Sequence, residues 1–344
     1  MKKFRYLIIG PKYMNQEKRQ GGTPILVEEL LEFMKKEQKE YEFISTLQFG
    51  EKKSTLNFLF TLVMFFIKMP KSDIVIVNVS RNGAYYFSPI ALFFTKLFKK
   101  RFVFRRFGGN CLELYQNAKG LRKRLIEYVF NNADIMFFEP KFIVDFFLQK
   151  RANVYSLPNA RKASLIKRDP TLPYSKKFIF LGHIKKEKGI DELLEASKLL
   201  DRSYTIELYG SLEYGNYTKE DFEQYPNVSY KGVVEYQEVY SILSQHDVLI
   251  LPSYKEGYPG VIIEAFAVGL PVIATNLTSI QEMTDSSCAL LINPKSATEL
   301  AEAMQYFNKE NYQKYSTNAS KKFLEYETNR VHAKMLALCQ KDLK

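Results

Sequence analysis

Short runs of β-branched and aromatic residues recur along this chain, separated by longer stretches whose apolar positions repeat every three to four residues. The first runs lie at residues 6–9, 42–45, 74–79, 102–105 and 135–138, and read as strands. Amphipathic stretches such as 24–39 and 121–131 read as the helices between them. A second series begins at 178–181 and continues at 205–209, 228–230, 248–251, 272–274 and 290–292. Strictly alternating strands and helices predict parallel, doubly wound sheets, one per series. The chain's 344 residues also exceed the usual size of one domain. The expected division is a domain over 1–160, a linker around 158–175 carrying Pro170 and Pro173, a second domain over 175–319, and a C-terminal piece over 320–344. That last piece reads as one helix from about Ser320 to Leu338, with no strand after it, able to pack back on the first domain.

Two apolar segments complicate the first half. Residues 56–67 are flanked by Lys52, Lys53, Lys68 and Lys71, and residues 85–98 run into Lys99, Lys100 and Arg101. Each falls short of the roughly 20 residues that a membrane-spanning helix needs. Two readings stay open: buried helices of an α/β domain, or helices lying at an anionic membrane surface. Composition is that of a soluble globular protein, with 46% apolar and 26% charged residues. Charge is unevenly spread. Residues 1–160 hold 27 Lys and Arg against 14 Asp and Glu, so the whole net charge of +12 lies in the first half. Nucleic acid, an anionic membrane or an anionic substrate would each suit it. Cys111, Cys288 and Cys339 have neither metal nor redox spacing, which fits a reducing cytoplasm. The first ten residues have too short an apolar run for a signal peptide.

The chemistry concentrates in the second half. Glu256 and Glu264 bracket Gly257, Tyr258, Pro259, Gly260 and Val261, after which an apolar helical run leads to Gly269 and Pro271. A glycine-rich turn at a helix start exposes backbone N–H groups, which suits phosphates. One acid stands before the turn and the other is expected in the first helical turn, placed for hydroxyl groups. A nucleotide-sugar has both features. The strand at 178–181 leads into Gly182 and His183, then Lys188 and Gly189 before the next helix. Cations in such a loop suit a diphosphate, Lys188 as a point charge and His183 below its pKa. Two carboxylates also permit metal binding or glycoside hydrolysis, but no Asp-x-Asp pair occurs, so no metal and no cofactor is expected. In the first half, Gly21-Gly22-Thr23-Pro24 reads as a helix start near a phosphate or as ordinary turn chemistry, and no G-x-G-x-x-G occurs. Arg105 and Arg106 end the fourth strand, where ligands of open parallel sheets bind. They either hold an anionic acceptor or phosphate, or point to opposite faces with one solvated and one salt-bridged.

Taken as a set, these residues resemble a retaining glycosyltransferase of family 4, which has the GT-B fold of two Rossmann-like domains facing a cleft. The resemblance covers most of the length and is strongest from Phe178 to Pro294. It rests on Glu256-x7-Glu264, the Gly182-x5-Lys188-Gly189 loop, the Leu251-Pro-Ser253 lead-in, the run after Glu264 and the Pro158-Asn159 pair. It implies that Glu264 binds the donor's ribose and that Glu256 contacts the transferred sugar. Lys188 would neutralise the departing diphosphate. Backbone N–H groups of Tyr258 to Val261 would hold phosphate and sugar oxygens. The base would lie near Gly232 and Val233, and Gly22 would approach the donor. The implied reaction is metal-independent, retaining transfer from a UDP- or GDP-linked sugar to a glycan, including lipid-linked ones, in capsule, O-antigen or exopolysaccharide assembly. Such an enzyme works in the cytoplasm, peripherally on the inner membrane face. Two departures stand out: His183 replaces the family's usual arginine, and Arg105-Arg106-Phe107-Gly108-Gly109 replaces a loop that often carries histidine.

Other classes compete. The basic half suggests nucleic-acid binding, but no recognised module or aromatic-basic β-platform is present, so nucleic acid is not expected as a partner. A nucleotide-sugar hydrolase, an epimerase or a non-catalytic sugar-binding relative would share these motifs.

Overall fold

A computed structural model describes residues 3–13, 22–79, 82–109, 111–169, 171–212 and 216–343. The chain forms two compact units, residues 1–160 with 328–344, and residues 161–327. The first sheet contains Arg5–Gly10 (β1), Glu40–Ser45 (β2), Ile74–Val79 (β3), Arg101–Arg106 (β4), Ile135–Phe138 (β5) and Val154–Ser156 (β6). All pairs are parallel, in the order β2-β1-β3-β4-β5-β6. Its helices are Gly22–Lys36 (α1), Ser54–Lys68 (α2), Phe87–Leu97 (α3), Cys111–Asn117 (α4), Gly120–Asn132 (α5) and Lys141–Leu148 (α6). Every residue of β3 is buried, as expected where helices cover both faces of a parallel sheet. Two cores result. Leu7, Ile9, Val75 and Phe104 fill one face, and Tyr6, Ile8, Ile76 and Val103 fill the other. The short strand β6 has no counterpart among the expected strands.

The second sheet contains Lys177–Leu181 (β7), Thr205–Tyr209 (β8), Val228–Gly232 (β9), Val248–Leu251 (β10), Val272–Thr275 (β11) and Ala289–Ile292 (β12). Again all pairs are parallel, in the order β12-β11-β10-β7-β8-β9. The helices are Ile190–Lys198 (α7), Glu220–Glu223 (α8), Val239–Leu243 (α9), Gly260–Val268 (α10), Thr278–Gln281 (α11), Ala297–Tyr306 (α12) and Lys309–Phe323 (α13). This order is the doubly wound one whose direction of winding reverses between β7 and β10. In such sheets the crevice at the carboxyl ends of those two strands receives the ligand.

Three expectations change. From Arg161 on, the stretch placed in a linker belongs to the second unit: Arg168 pairs with Asp247, and Ser175 Oγ donates to Asp247 Oδ2 at 2.8 Å. Pro170 lies outside the described residues. The single C-terminal helix is two helices, α13 and Thr328–Gln340 (α14), and α14 belongs to the first unit. The break has a tertiary cause. Buried Tyr326 donates from its hydroxyl to the Met283 carbonyl, and its own carbonyl accepts from Arg161 N. Finally, α2 is not simply a buried apolar helix: it buries Asn57, Thr61 and Phe65 while Leu59, Val63 and Ile67 are exposed.

Candidate functional site

The loops after β7 and β10 flank the reversal point of the second sheet, and the structure ties them together. Gly189, at φ +72°, ends the turn Lys186–Lys188 and starts α7. A Cβ there would lie 2.1 Å from the carbonyl oxygen of Pro252, just past β10. Glycine is therefore required by both conformation and contact. Tyr254 N then donates to Glu187 O at 2.9 Å. These backbone contacts bring Lys188 Nζ within 2.5 Å of Glu256 Oε1, and both side chains are largely covered. Ser279 Oγ donates to the Glu256 carbonyl at 3.0 Å and fixes its backbone. The sequence-expected cation and acid thus form one ion pair in the ligand crevice of their own sheet.

Gly257, Tyr258 and Pro259 lead into α10, which begins at Gly260 and Val261. No side chain caps this helix and its first turn has no acid. Its first N–H groups and the positive end of its dipole suit an anion such as a phosphate. Glu264 sits in the second turn of α10 rather than the first, because the helix starts at Gly260. It is buried, and its Oε1 accepts from Arg161 Nε at 2.7 Å. Burial pulls the Arg161 guanidinium down, but Glu264 beside it, with Tyr236 and Tyr240, raises it above its ordinary value on balance. A Cβ on Gly260 would fall 2.1 Å from Arg161 Nη2, so this glycine makes room for the guanidinium.

Arg161 was not visible as a site residue in the sequence. It stands alone after Pro158-Asn159-Ala160, in a stretch read as linker, with nothing to mark its partner 103 residues away. The absence of a side chain at Gly260 is the only trace, and it has a second explanation in the turn itself.

His183 is exposed, with Nδ1 2.8 Å from Ser211 Oγ. Gly182, Gly210 and Gly232 lie side by side at the carboxyl ends of β7, β8 and β9. A Cβ on Gly210 would be 1.7 Å from Gly182 O, and Gly210 N donates to Gly232 O at 2.8 Å. Val233, next in the chain, is 58% exposed and free to meet a flat ring.

In the first unit, Gly22 opens α1, and a Cβ there would meet nothing within 4 Å among the described residues, so none of these demands a glycine. Gly21 lies outside the described residues. Arg105 and Arg106 do point to opposite faces of the sheet, but neither is solvated: they are 1% and 2% exposed. The reading of one solvated arginine is corrected. The strand is central, and helices cover both its faces. Both Arg105 Nη atoms lack a hydrogen-bond partner among the described residues, and its Cζ lies 4.7 Å from the centre of the Phe107 ring. Burial pulls the Arg105 guanidinium down to about 10, with Glu139 opposing.

Residues 175–309 match the family model of glycosyl transferases group 1. A Klebsiella pneumoniae protein described as an uncharacterized 41.2 kDa protein in the cps region is 29% identical over 273 residues, covering 74% of this chain and 75% of that protein. The Staphylococcus aureus capsular polysaccharide biosynthesis glycosyltransferase CapM is 30% identical over 134 residues, covering 37% of this chain and 35% of CapM. Among solved structures, Anabaena Alr3699/HepE in complex with UDP superposes with a TM-score of 0.73 at 13% identity, covering 97% of this chain and 99% of that one. At that identity the likeness shows the fold, which is GT-B.

Proposed function

We propose that this chain, whose residues 175–309 match the group 1 glycosyltransferase model, transfers a sugar, with retention of configuration, from a nucleoside-diphosphate sugar to a glycan acceptor in capsule or related polysaccharide assembly. The observation that carries this reading is the Lys188–Glu256 pair beside the uncapped start of α10, at the winding reversal of the second sheet. Lys188 and the first N–H groups of α10 receive the diphosphate. Glu256, freed from part of its bond to Lys188, turns to the hydroxyls of the transferred sugar. Glu264, held by Arg161, accepts from the ribose hydroxyls. The base lies against Gly232 and Val233, with His183 at the edge.

The chemical step follows. The bond from the anomeric carbon to the diphosphate oxygen breaks, and its electron pair leaves with the phosphate. Charge building on that oxygen is stabilised by Lys188 and the helix N–H groups, fixed in place before the reaction. The acceptor hydroxyl forms its bond to the anomeric carbon on the same face and passes its proton to the leaving phosphate oxygen. No metal is needed, because Lys188 and the helix supply the positive charge. UDP is the first donor nucleotide to try, as HepE was solved with UDP, and GDP the second. The acceptor is a glycan carried on a lipid diphosphate at the inner face of an anionic membrane. The excess of positive charge in residues 1–160 supports that choice.

The test is a panel of UDP- and GDP-sugars, read first by thermal stabilisation and then by release of nucleoside diphosphate with and without lipid-linked acceptor. Acceptor-dependent release supports the transferase. Equal release without acceptor would make the protein a hydrolase, and no stabilisation by any donor would overturn the reading.

A further inference from the structure

Helix α2 is amphipathic in the reverse sense. Its inward face carries Asn57, Thr61 and Phe65. Asn57 is satisfied locally, accepting from Phe49 N at 2.9 Å and donating to Gly50 O at 2.7 Å, while Thr61 Oγ1 donates back to Asn57 O. Its outward face carries Leu56, Leu59, Val63, Phe66 and Ile67, spaced at three and four residues and 39–58% exposed. Solvent-facing helices ordinarily show the opposite distribution. Helix α3 continues the surface. The Phe66 and Phe94 rings meet edge-on at 4.7 Å, and Phe93, Leu97 and Phe98 are 54%, 62% and 48% exposed. Neither helix contains an acid.

The rim is basic. Lys52 and Lys53 precede α2, Lys71 follows it one turn on, and Lys99 and Lys100 follow α3. Among the described residues these five make no ion pair, whereas Lys68 and Lys96 are held by Glu42 and Asp134. No described helix is long and apolar enough to cross a membrane.

We propose that the α2–α3 face is a docking surface for a bilayer carrying anionic headgroups. Fifteen helical residues give α2 a length of about 22 Å, laid along the interface with its leucines and phenylalanines in the acyl boundary and the lysines at headgroup level. The rim decides between occupants. In a twofold contact this patch would face itself and bring lysines against lysines, with no acid on either helix to receive them. A lipid surface supplies the missing negative charge. The inference deepens the membrane part of the function proposed above and does not depend on the donor chemistry.

Flotation of the full chain with vesicles tests it, using phosphatidylcholine alone or mixed with an equal amount of phosphatidylglycerol. The chain should float with the mixed vesicles, float poorly with phosphatidylcholine, and be released by high salt. Replacing both Lys52 and Lys53 by Glu should weaken partition by about fivefold or more per site. Leu59→Glu with Val63→Glu should weaken it at least about tenfold. Both pairs are exposed, so UDP binding and the circular dichroism spectrum should stay as in the unmodified chain. Wild-type protein that ignores phosphatidylglycerol vesicles, or variants that float as well as wild type, would overturn the proposal. So would a dimer in sedimentation velocity that L59E/V63E abolishes while vesicle binding persists. UDP binding is read separately, so failure here leaves the donor site standing, and the reverse holds.

Discussion

Replacing Arg161 by Ala removes the charge partner of a buried carboxylate, Glu264. The Arg161 side chain is 3% exposed, the Glu264 side chain 10%, and their contact is 2.7 Å. Breaking such a pair from one side costs about 3–5 kcal/mol, because the remaining charge is left without compensation. For a unit the size of residues 161–327, each kcal/mol moves the midpoint by about 2–4 °C, so the transition of that unit should fall by roughly 6–20 °C. Replacing both partners by apolar residues, Arg161→Met with Glu264→Leu, should restore most of the loss, since a buried pair contributes little net stability over a hydrophobic substitute. The double variant should then be folded yet unable to hold the donor. Differential scanning calorimetry measures the stabilities and a titration with UDP measures the binding. If Arg161→Ala is as stable as wild type, or the double variant as unstable as the single one, Arg161 is not what compensates the buried Glu264 carboxylate. If the stable double variant binds UDP normally, Glu264 is not a donor ligand.

Three further outcomes follow from named contacts. Lys188→Ala should lower turnover by about 10²–10³, the usual cost of losing a fixed charge-stabilising group, whereas His183→Ala should cost far less; equal, small losses in a steady-state assay would count against Lys188 as the diphosphate ligand. Gly189→Ala forces an L-residue to φ +72° at about 1–2 kcal/mol and drives a methyl into Pro252 O, so the loop should shift and KM for the donor should rise; an unchanged KM would show that the loop's contact with β10 is not needed. His332 is fully buried against Phe33, at 5.5 Å between ring centres, and burial, with Arg105 adding to it, keeps its pKa well below 6.5. The unfolded chain therefore binds the proton first. His332's neutral form supports the fold at and above pH 6.5, and stability drops as pH falls below that value, by up to about 1.4 kcal/mol per pH unit until the folded pKa is reached. Chemical denaturation of wild type and His332→Phe between pH 7 and pH 5 should show that slope only in wild type.

Parallel sheets were legible because their strands are buried on both faces and stand out as short apolar runs, as in residues 74–79 and 248–251. The three-residue strand β6 did not stand out, since Val154-Tyr155-Ser156 has too little apolar character to separate it from a loop. The residues of the Lys188 and Glu256 loops were legible for a local reason: glycines at 189, 257 and 260 mark turns wherever they occur. Their pairing across 68 residues was not. It depends on strand order, which puts β7 next to β10, and strand order leaves no local mark. Arg161 was missed on the same ground. Arg105 and Arg106 illustrate the converse, since a charged pair at a strand end reads as surface, and only the helices packed over both faces of β4 make it interior. The apolar run of α2 was ambiguous in sequence because composition does not say which face of a helix looks inward. Asn57 and Thr61, the polar residues in that run, turned out to mark the inward face.

Isothermal titration of the full chain with UDP and GDP, in buffer containing EDTA, tests the central claim most directly. The account predicts that one of the two binds with one site per chain without metal, and that Lys188→Ala weakens binding by a factor of ten or more, about 1.4 kcal/mol. Absence of binding by either nucleotide, or binding that Lys188→Ala leaves unchanged, would contradict it.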